Sequence, residues 1–136
     1  MISFSNIGNL GRLGNQMFQY AALRGIASLK GYEFCIPVSE FKDEWNDHQL
    51  FQAFKLIYLN KRQILPGNYY QEKQFNYDQD YIDNCPDNVN LYGYFQTEKY
   101  FIHIENKIRN EFQFKDSIVQ NCIKLKSNYT NVVSVH

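Results

Sequence analysis

Residues 2–37, ISFSNIGNLGRLGNQMFQYAALRGIASLKGYEFCIP, decide the fold. Ile2 and Phe4 alternate with Ser3 and Ser5, the period-two pattern of a short strand. Gly8, Gly11 and Gly14 follow at a spacing of three, in a chain that holds only seven glycines, and mark a turn-rich loop. From Gln16 to Lys30 the apolar positions Phe18, Ala22, Ile26 and Leu29 fall on one helical face, and Gly31 stands where a left-handed C-terminal cap belongs. Residues 32–37, YEFCIP, alternate again and stop at Pro37. Strand, glycine loop, helix and strand make a βαβ unit, which belongs in a parallel sheet. The expected class is α/β.

Farther along, the pattern loosens. FKDEWNDHQLFQAFKL (41–56) spaces Trp45, Leu50, Phe51, Phe54 and Leu56 in a loosely helical way. LPGNYYQEKQFNYDQDYIDNCPDN (65–88) is polar, aromatic and broken by Pro66, Gly67 and Pro86, so irregular surface structure is expected there. NLYGYF (90–95) reads as a strand, and TEKYFIHIENKIRNEFQF (97–114) as a helix with Phe101, Ile104, Ile108 and Phe112 along one side. NVVSVH (131–136) is β-branched and reads as a buried strand.

The 136 residues suffice for one domain with a core. Fourteen basic residues balance fourteen acidic ones without a basic block, which argues against nucleic acid as a partner. Eleven tyrosines and eleven phenylalanines are read mainly as core filling, although tyrosine also suits surfaces that meet sugars. Cys35, Cys85 and Cys122 lie far apart with no C-x-x-C pair, so neither a zinc ribbon nor a thioredoxin-type site is supported, and reduced cytosolic thiols are the simplest account. The first residues lack the charged and apolar regions of a signal peptide, and no apolar run reaches the length of a membrane span. The sequon-like Asn128-Tyr129-Thr130 therefore carries little weight.

A strand, a glycine loop and a helix together cradle anions, because glycines let the backbone approach closely and the first helical amides point outward. The spacing G-x-x-G-x-x-G is neither the dinucleotide fingerprint nor a P-loop, and no lysine follows, so nucleotide hydrolysis is not the reading. A tight turn that needs its glycines only for backbone angles gives the same pattern. Asp78-Gln79-Asp80 has the D-x-D form of metal-dependent glycosyltransferases but lacks the preceding apolar strand, and no metal site is assigned. His48 and His103 are isolated; a surface or packing role is the stronger reading for His103, and core packing for Phe18 and Tyr20. Glu98 and Lys99 either line a cleft or serve the local helix end. No catalytic base is identified.

GRLGNQMFQYA (11–21) resembles the N-terminal signature of the α-1,2-fucosyltransferases of glycosyltransferase family 11. LYGYFQTEKYF (91–101) is similar to that family's strand–helix segment G-Y-F-Q-S-E-K-Y-F, and VVSVH (132–136) to the strand that leads into its H-x-R-R-G-D motif. DHQLFQAFKL (47–56) is a weaker echo, and GRLGNQ also resembles the glycine loop of protein O-fucosyltransferases. The resemblance covers almost the whole chain in collinear order.

What the resemblance implies is a GT-B architecture, two Rossmann-like domains facing across a cleft. Residues 1–131 would form the N-terminal domain with the acceptor-side cleft, and 132–136 the first strand toward a donor-binding domain. The implied reaction is inverting, metal-independent transfer of L-fucose from GDP-fucose to the 2-hydroxyl of a terminal galactose, with no cofactor. Gly11, Arg12, Gly14, Asn15, Gln16 and His136 are the implied donor- or substrate-binding residues. The family's arginines follow the histidine that here is His136, so the chain reads as an N-terminal portion with little activity alone. The implied setting is cytoplasmic surface-glycan synthesis, compatible with peripheral membrane association. A protein O-fucosyltransferase-like enzyme, and a non-catalytic glycan-binding or decayed fragment, are the alternatives.

Overall fold

The computed structural model describes residues 1–36, 49–56, 67–130 and 133. Strand β1 (Ile2–Ser3), helix α1 (Leu13–Lys30) and strand β2 (Phe34–Cys35) form the expected βαβ unit. The strands run parallel, Ile2 opposite Phe34 and Ser3 opposite Cys35. After α2 (Gln49–Ala53) come β3 (Tyr69–Gln71), α3 (Gln79–Asp83) and β4 (Asn90–Tyr92). Two 3-10 turns (Glu98–Tyr100, Ile102–Ile104), α4 (Glu105–Glu111) and α5 (Asp116–Lys126) complete the described elements. The four strands stand in the order β2-β1-β4-β3, every pair parallel, so the fold is mixed α/β. Among the described residues no helix is long and apolar enough to cross a membrane.

α1 starts earlier than its apolar pattern suggests. Arg12 is its N-cap in extended conformation, and the Gln16 N–H already reaches the Arg12 carbonyl at 3.0 Å. Gly14 therefore belongs to the first helical turn and not to the loop. Apolar periodicity misses that turn because Gly14 is exposed and Leu13 and Asn15 are only half-buried. At the other end Gly31 is left-handed (φ 66°), and its N–H and that of Tyr32 converge on the Ala27 carbonyl, as anticipated for the cap.

The single apolar face expected for α1 is also too narrow. Leu29 is 51% exposed and Phe18 half-buried, whereas Gln16, Gln19, Tyr20, Leu23 and Ala27 are buried beside Ala22 and Ile26. The helix touches β1 and β2, and also α2 and the two 3-10 turns, so most of its circumference is enclosed. Gly25 marks the tightest approach, since a Cβ there would lie 2.1 Å from the Tyr100 carbonyl oxygen. His103 Nε2 lies 3.1 Å from the Gly25 carbonyl oxygen, a packing contact. On the next turns Tyr20 Oη donates to Glu111 at 2.6 Å, and Arg24 forms an ion pair with the same buried carboxylate. Arg24 also lies over the Phe34 ring, 4.5 Å from its centroid. These contacts pin α1 to α4, and removing one partner of such a buried pair costs about 3–5 kcal/mol.

Residues 65–88 depart from the expected irregular surface. β3 pairs with β4 through three residues, and α3 buries Tyr81 and Ile82. β3 carries no apolar alternation because it is an edge strand made by backbone pairing, which the side-chain pattern cannot show. Two tyrosines lock it to α3: Tyr81 Oη donates to the Tyr70 carbonyl at 2.6 Å, and Tyr70 Oη to the Tyr81 carbonyl at 3.2 Å. Asp78, first residue of the D-x-D stretch, accepts the Tyr81 N–H at 3.0 Å and caps α3. The helix expected over 97–114 begins as 3-10 turns because Phe101 leaves helical geometry (φ −140°, ψ 5°). α5 has no counterpart in the sequence reading; it buries no residue fully, but Ile118 packs against the core, and the Asp116 and Lys124/Lys126 charges at its ends favour it. The strand expected at 131–136, Pro37 and the 41–48 stretch with Trp45 and His48 lie outside the described residues, except for an exposed Val133.

Two outcomes are expected. Gly25→Ala has no room against Tyr100 and should lower stability by about 1–3 kcal/mol in urea unfolding; an unchanged midpoint would contradict the close approach. Burial raises the Cys85 thiol from its ordinary 9.0 to about 11. It likewise raises the Tyr100 phenol from 10.0 to about 12, with Tyr20 and Tyr81 pushed up further. The unfolded chain then loses these protons first, so stability is complete below these ordinary values and falls as pH climbs through the raised ones. In Cys85→Ala the alkaline decline in urea midpoint should begin about one pH unit later, near the tyrosine range; an unshifted profile would exclude the thiol as its first cause.

Candidate functional site

In sheets of parallel strands ligands gather beyond the carboxyl ends. Here three loops meet at that edge: 4–12 after β1, 72–78 after β3 and 93–97 after β4.

The first loop folds over the Asn6 carbonyl, which accepts the N–H groups of Asn9 (3.0 Å) and Leu10 (3.3 Å). Gly11 sits at φ 95°, and a Cβ on it would lie 2.0 Å from Asn15 Nδ2, so both backbone angle and space require glycine. The Arg12 side chain is exposed, and its guanidinium makes no hydrogen bond or ion pair among the described residues. Of the first four amides of α1, Leu13 donates to Gln49 Oε1 (3.1 Å) and Gln16 to the Arg12 carbonyl. The Gly14 and Asn15 amides have no acceptor among the described residues. Around Gly14 a Cβ would meet nothing within 4 Å. Two amides without an acceptor among the described residues, at the positive end of an 18-residue helix and beside the Arg12 guanidinium, suit a bound anion.

The third loop is held in an unusual shape. Phe95 has φ 52°, a left-handed conformation that costs a non-glycine residue about 1–3 kcal/mol. Two features offset it. The Glu72 carboxylate accepts the Tyr94 N–H at 2.8 Å and the Phe95 N–H at 3.1 and 3.2 Å. The Phe95 side chain is fully buried, with edge contacts to Phe4, Tyr81 and Tyr100 at centroid distances of 5.3–5.8 Å. Burying a phenylalanine contributes about 1.5–3 kcal/mol, which matches the strain before ring contacts are added.

Two amides join the first and third loops. Gln19 Nε2 donates to the carbonyls of Leu10 (2.9 Å) and Gly93 (3.2 Å), and Gln96 Nε2 donates to Asn15 Oδ1 (2.7 Å). Gln19 Oε1 and Ser5 Oγ are buried with no hydrogen-bond partner among the described residues, although such groups cost about 1–3 kcal/mol each. Beneath them Ser3 Oγ and the Ser5 N–H both donate to Asn90 Oδ1.

Gly11, Arg12, Gly14 and Asn15 thus meet at one turn. Gln16 points inward: it is buried, its Oε1 accepts the Leu50 N–H at 3.0 Å and its Nε2 lies 3.5 Å from the Gly11 carbonyl, so it braces the loop from behind. His136 lies outside the described residues. Glu98 lines a separate apolar groove of about 670 Å³ between α1 and α4, and Lys99 Nζ stands 5.7 Å from the Tyr77 ring. No group of three or more His, Cys, Asp or Glu side chains is placed to hold a metal among the described residues. Sequence reasoning did not single out Gln19, Glu72, Phe95 or Gln96. A glutamine inside the apolar run MFQYAAL was the one available signal; nothing local distinguishes Glu72. Comparison with family models, curated proteins and solved structures returns no match for this chain.

Glu72→Ala would strip the acceptor from the Tyr94 and Phe95 amides. A loss of about 1–3 kcal/mol is expected in urea unfolding, and a change below about 0.5 kcal/mol would show that the aromatic packing alone holds the turn.

Proposed function

We propose that this chain carries the glycine-loop side of the cleft in an inverting, metal-independent glycosyltransferase that moves L-fucose from GDP-β-L-fucose to the 2-hydroxyl of a terminal galactose. One contact supports the reading most. The two stretches that resemble family 11 enzymes, 11–21 and 91–101, are far apart in sequence, yet Asn15 and Gln96 hydrogen-bond across them at 2.7 Å. They meet at the sheet edge where the Gly14 and Asn15 amides and Arg12 lie.

In this reading the donor diphosphate lies against those amides, with Arg12 forking onto its oxygens. Gly11 and Gly14 admit the close approach, and Asn15 contacts the donor or a hydroxyl. The galactose 2-oxygen attacks the anomeric carbon of fucose in line; the new C–O bond forms as the bond to the diphosphate breaks, and the hydroxyl proton passes to a base. Stabilising charge on the departing diphosphate is the main demand. His136 and further cations near the leaving oxygen would supply the rest.

Calorimetric titration with GDP-β-L-fucose tests the proposal. Binding is expected, and Arg12→Ala, an exposed change that leaves the urea midpoint in place, should weaken it about tenfold. No binding, or binding indifferent to Arg12, rejects the donor site.

A further inference from the structure

A second feature of the same edge is not used by the donor loop. Between the loops after β3 and β4 lies a cavity of about 240 Å³. Leu10, Gln71, Lys73, Gln74, Phe75 and Tyr94 line it. Phe75 is 72% exposed, so the hydrophobic core does not account for it. Its ring lies beside that of Tyr94, centroids 6.1 Å apart and planes inclined by 32°. The side chains of Gln71, Lys73 and Gln74 make no hydrogen bond or ion pair among the described residues. The wall behind them is rigid: Glu72 clamps the Tyr94 amide, and Gln19 ties Leu10 to Gly93.

We propose that this cavity binds a neutral hexopyranoside, one ring deep. A pyranose has one ring face of C–H bonds and a rim of hydroxyls. The C–H face meets the electron-rich faces of Phe75 and Tyr94, and the hydroxyls meet the Gln71 and Gln74 amides and the Lys73 ammonium. The volume is below the roughly 300–1,000 Å³ of clefts that take drug-sized ligands, which suits a single sugar ring and not a longer glycan. A phosphate would find one cation, Lys73, and no helix end. Held walls lower the ordering cost of binding a small, well-hydrated ligand.

Naming this sugar as the acceptor rests on the transfer reading, whereas the binding itself is argued from the cavity. The location agrees with that role. Leu10 belongs to the loop that enters α1, and Tyr94 is two residues from Gln96, the partner of Asn15. A galactoside held here would stand beside the donor loop.

The test uses methyl β-D-galactopyranoside with no nucleotide present, followed by saturation-transfer NMR and titration. Saturation is expected to be strongest on the ring C–H protons of one face. Phe75→Ala should weaken binding about tenfold at an unchanged urea midpoint, with Gln74→Ala having a smaller effect. No saturation transfer, or transfer indifferent to Phe75→Ala, overturns the proposal. Loss of GDP-β-L-fucose binding in Phe75→Ala without galactoside binding overturns it too and makes the cavity a nucleotide site. Phe75-dependent galactoside binding without donor binding upholds this site while rejecting the transfer reading.

Discussion

The turn at Tyr94 and Phe95 is the constraint on which the carboxyl edge of the sheet depends. A left-handed phenylalanine is unfavourable alone, and the Glu72 carboxylate and the aromatic nest around its ring hold it in place. The consequence is geometric. Once Phe95 points into the core, the carbonyl of Gly93 reaches Gln19, and Gln96 reaches Asn15. Gly93 has its own part, because a Cβ there would lie 2.5 Å from the Glu72 Cβ. One acidic side chain from the loop after β3 thereby fixes the position of the loop after β4 against the first turn of α1.

α1 transmits that order through the rest of the molecule. It is enclosed by β1 and β2, by α2, and by the two 3-10 turns. Gly25 lets the Tyr100 backbone come close, and Tyr20 and Arg24 hold Glu111 of α4. Tyr100 belongs to both arrangements, since its backbone lies on Gly25 while its ring packs on Phe95. The anchored body of the helix keeps its N-terminus in place, where the Gly14 and Asn15 amides have no acceptor among the described residues. Buried glutamines serve the same end. Gln16 and Gln19 spend their amide groups on loop carbonyls and on the Leu50 N–H, so the glycine loop is braced from within the protein.

The βαβ unit was legible because its signals are local: alternation in Ile2–Ser5, glycines in the turn, and Gly31 at the cap. β4 was legible over Asn90–Tyr92 only, since the strand expected to run on to Phe95 gives way to the turn at Gly93–Phe95. β3, α3 and α5 were not. β3 is made by its neighbour, α3 is a single capped turn, and α5 buries no residue fully, with Ile118 only half-buried against the core. Gly11, Arg12, Gly14 and Asn15 could be picked out from spacing and resemblance, yet their environment could not. Glu72 and Gln19 act through contacts to residues 22 and 74 positions away, and no local pattern encodes such pairings.

The balance of charge at the loop limits what it can do alone. A helix N-terminus acts as roughly half a positive charge, and Arg12 adds one more from an exposed position. A nucleotide diphosphate carries more negative charge than this, and salt screens exposed attractions within about 10 Å. Within the proposed reaction, the loop therefore aligns the diphosphate more than it neutralises it. Alignment needs fixed amides, and the enclosed helix and the Glu72 clamp supply them. Neutralisation in the transition state needs further cations close to the leaving oxygen. That division of labour makes the rigidity of this edge, and not its charge, the part of the chemistry that these residues can contribute.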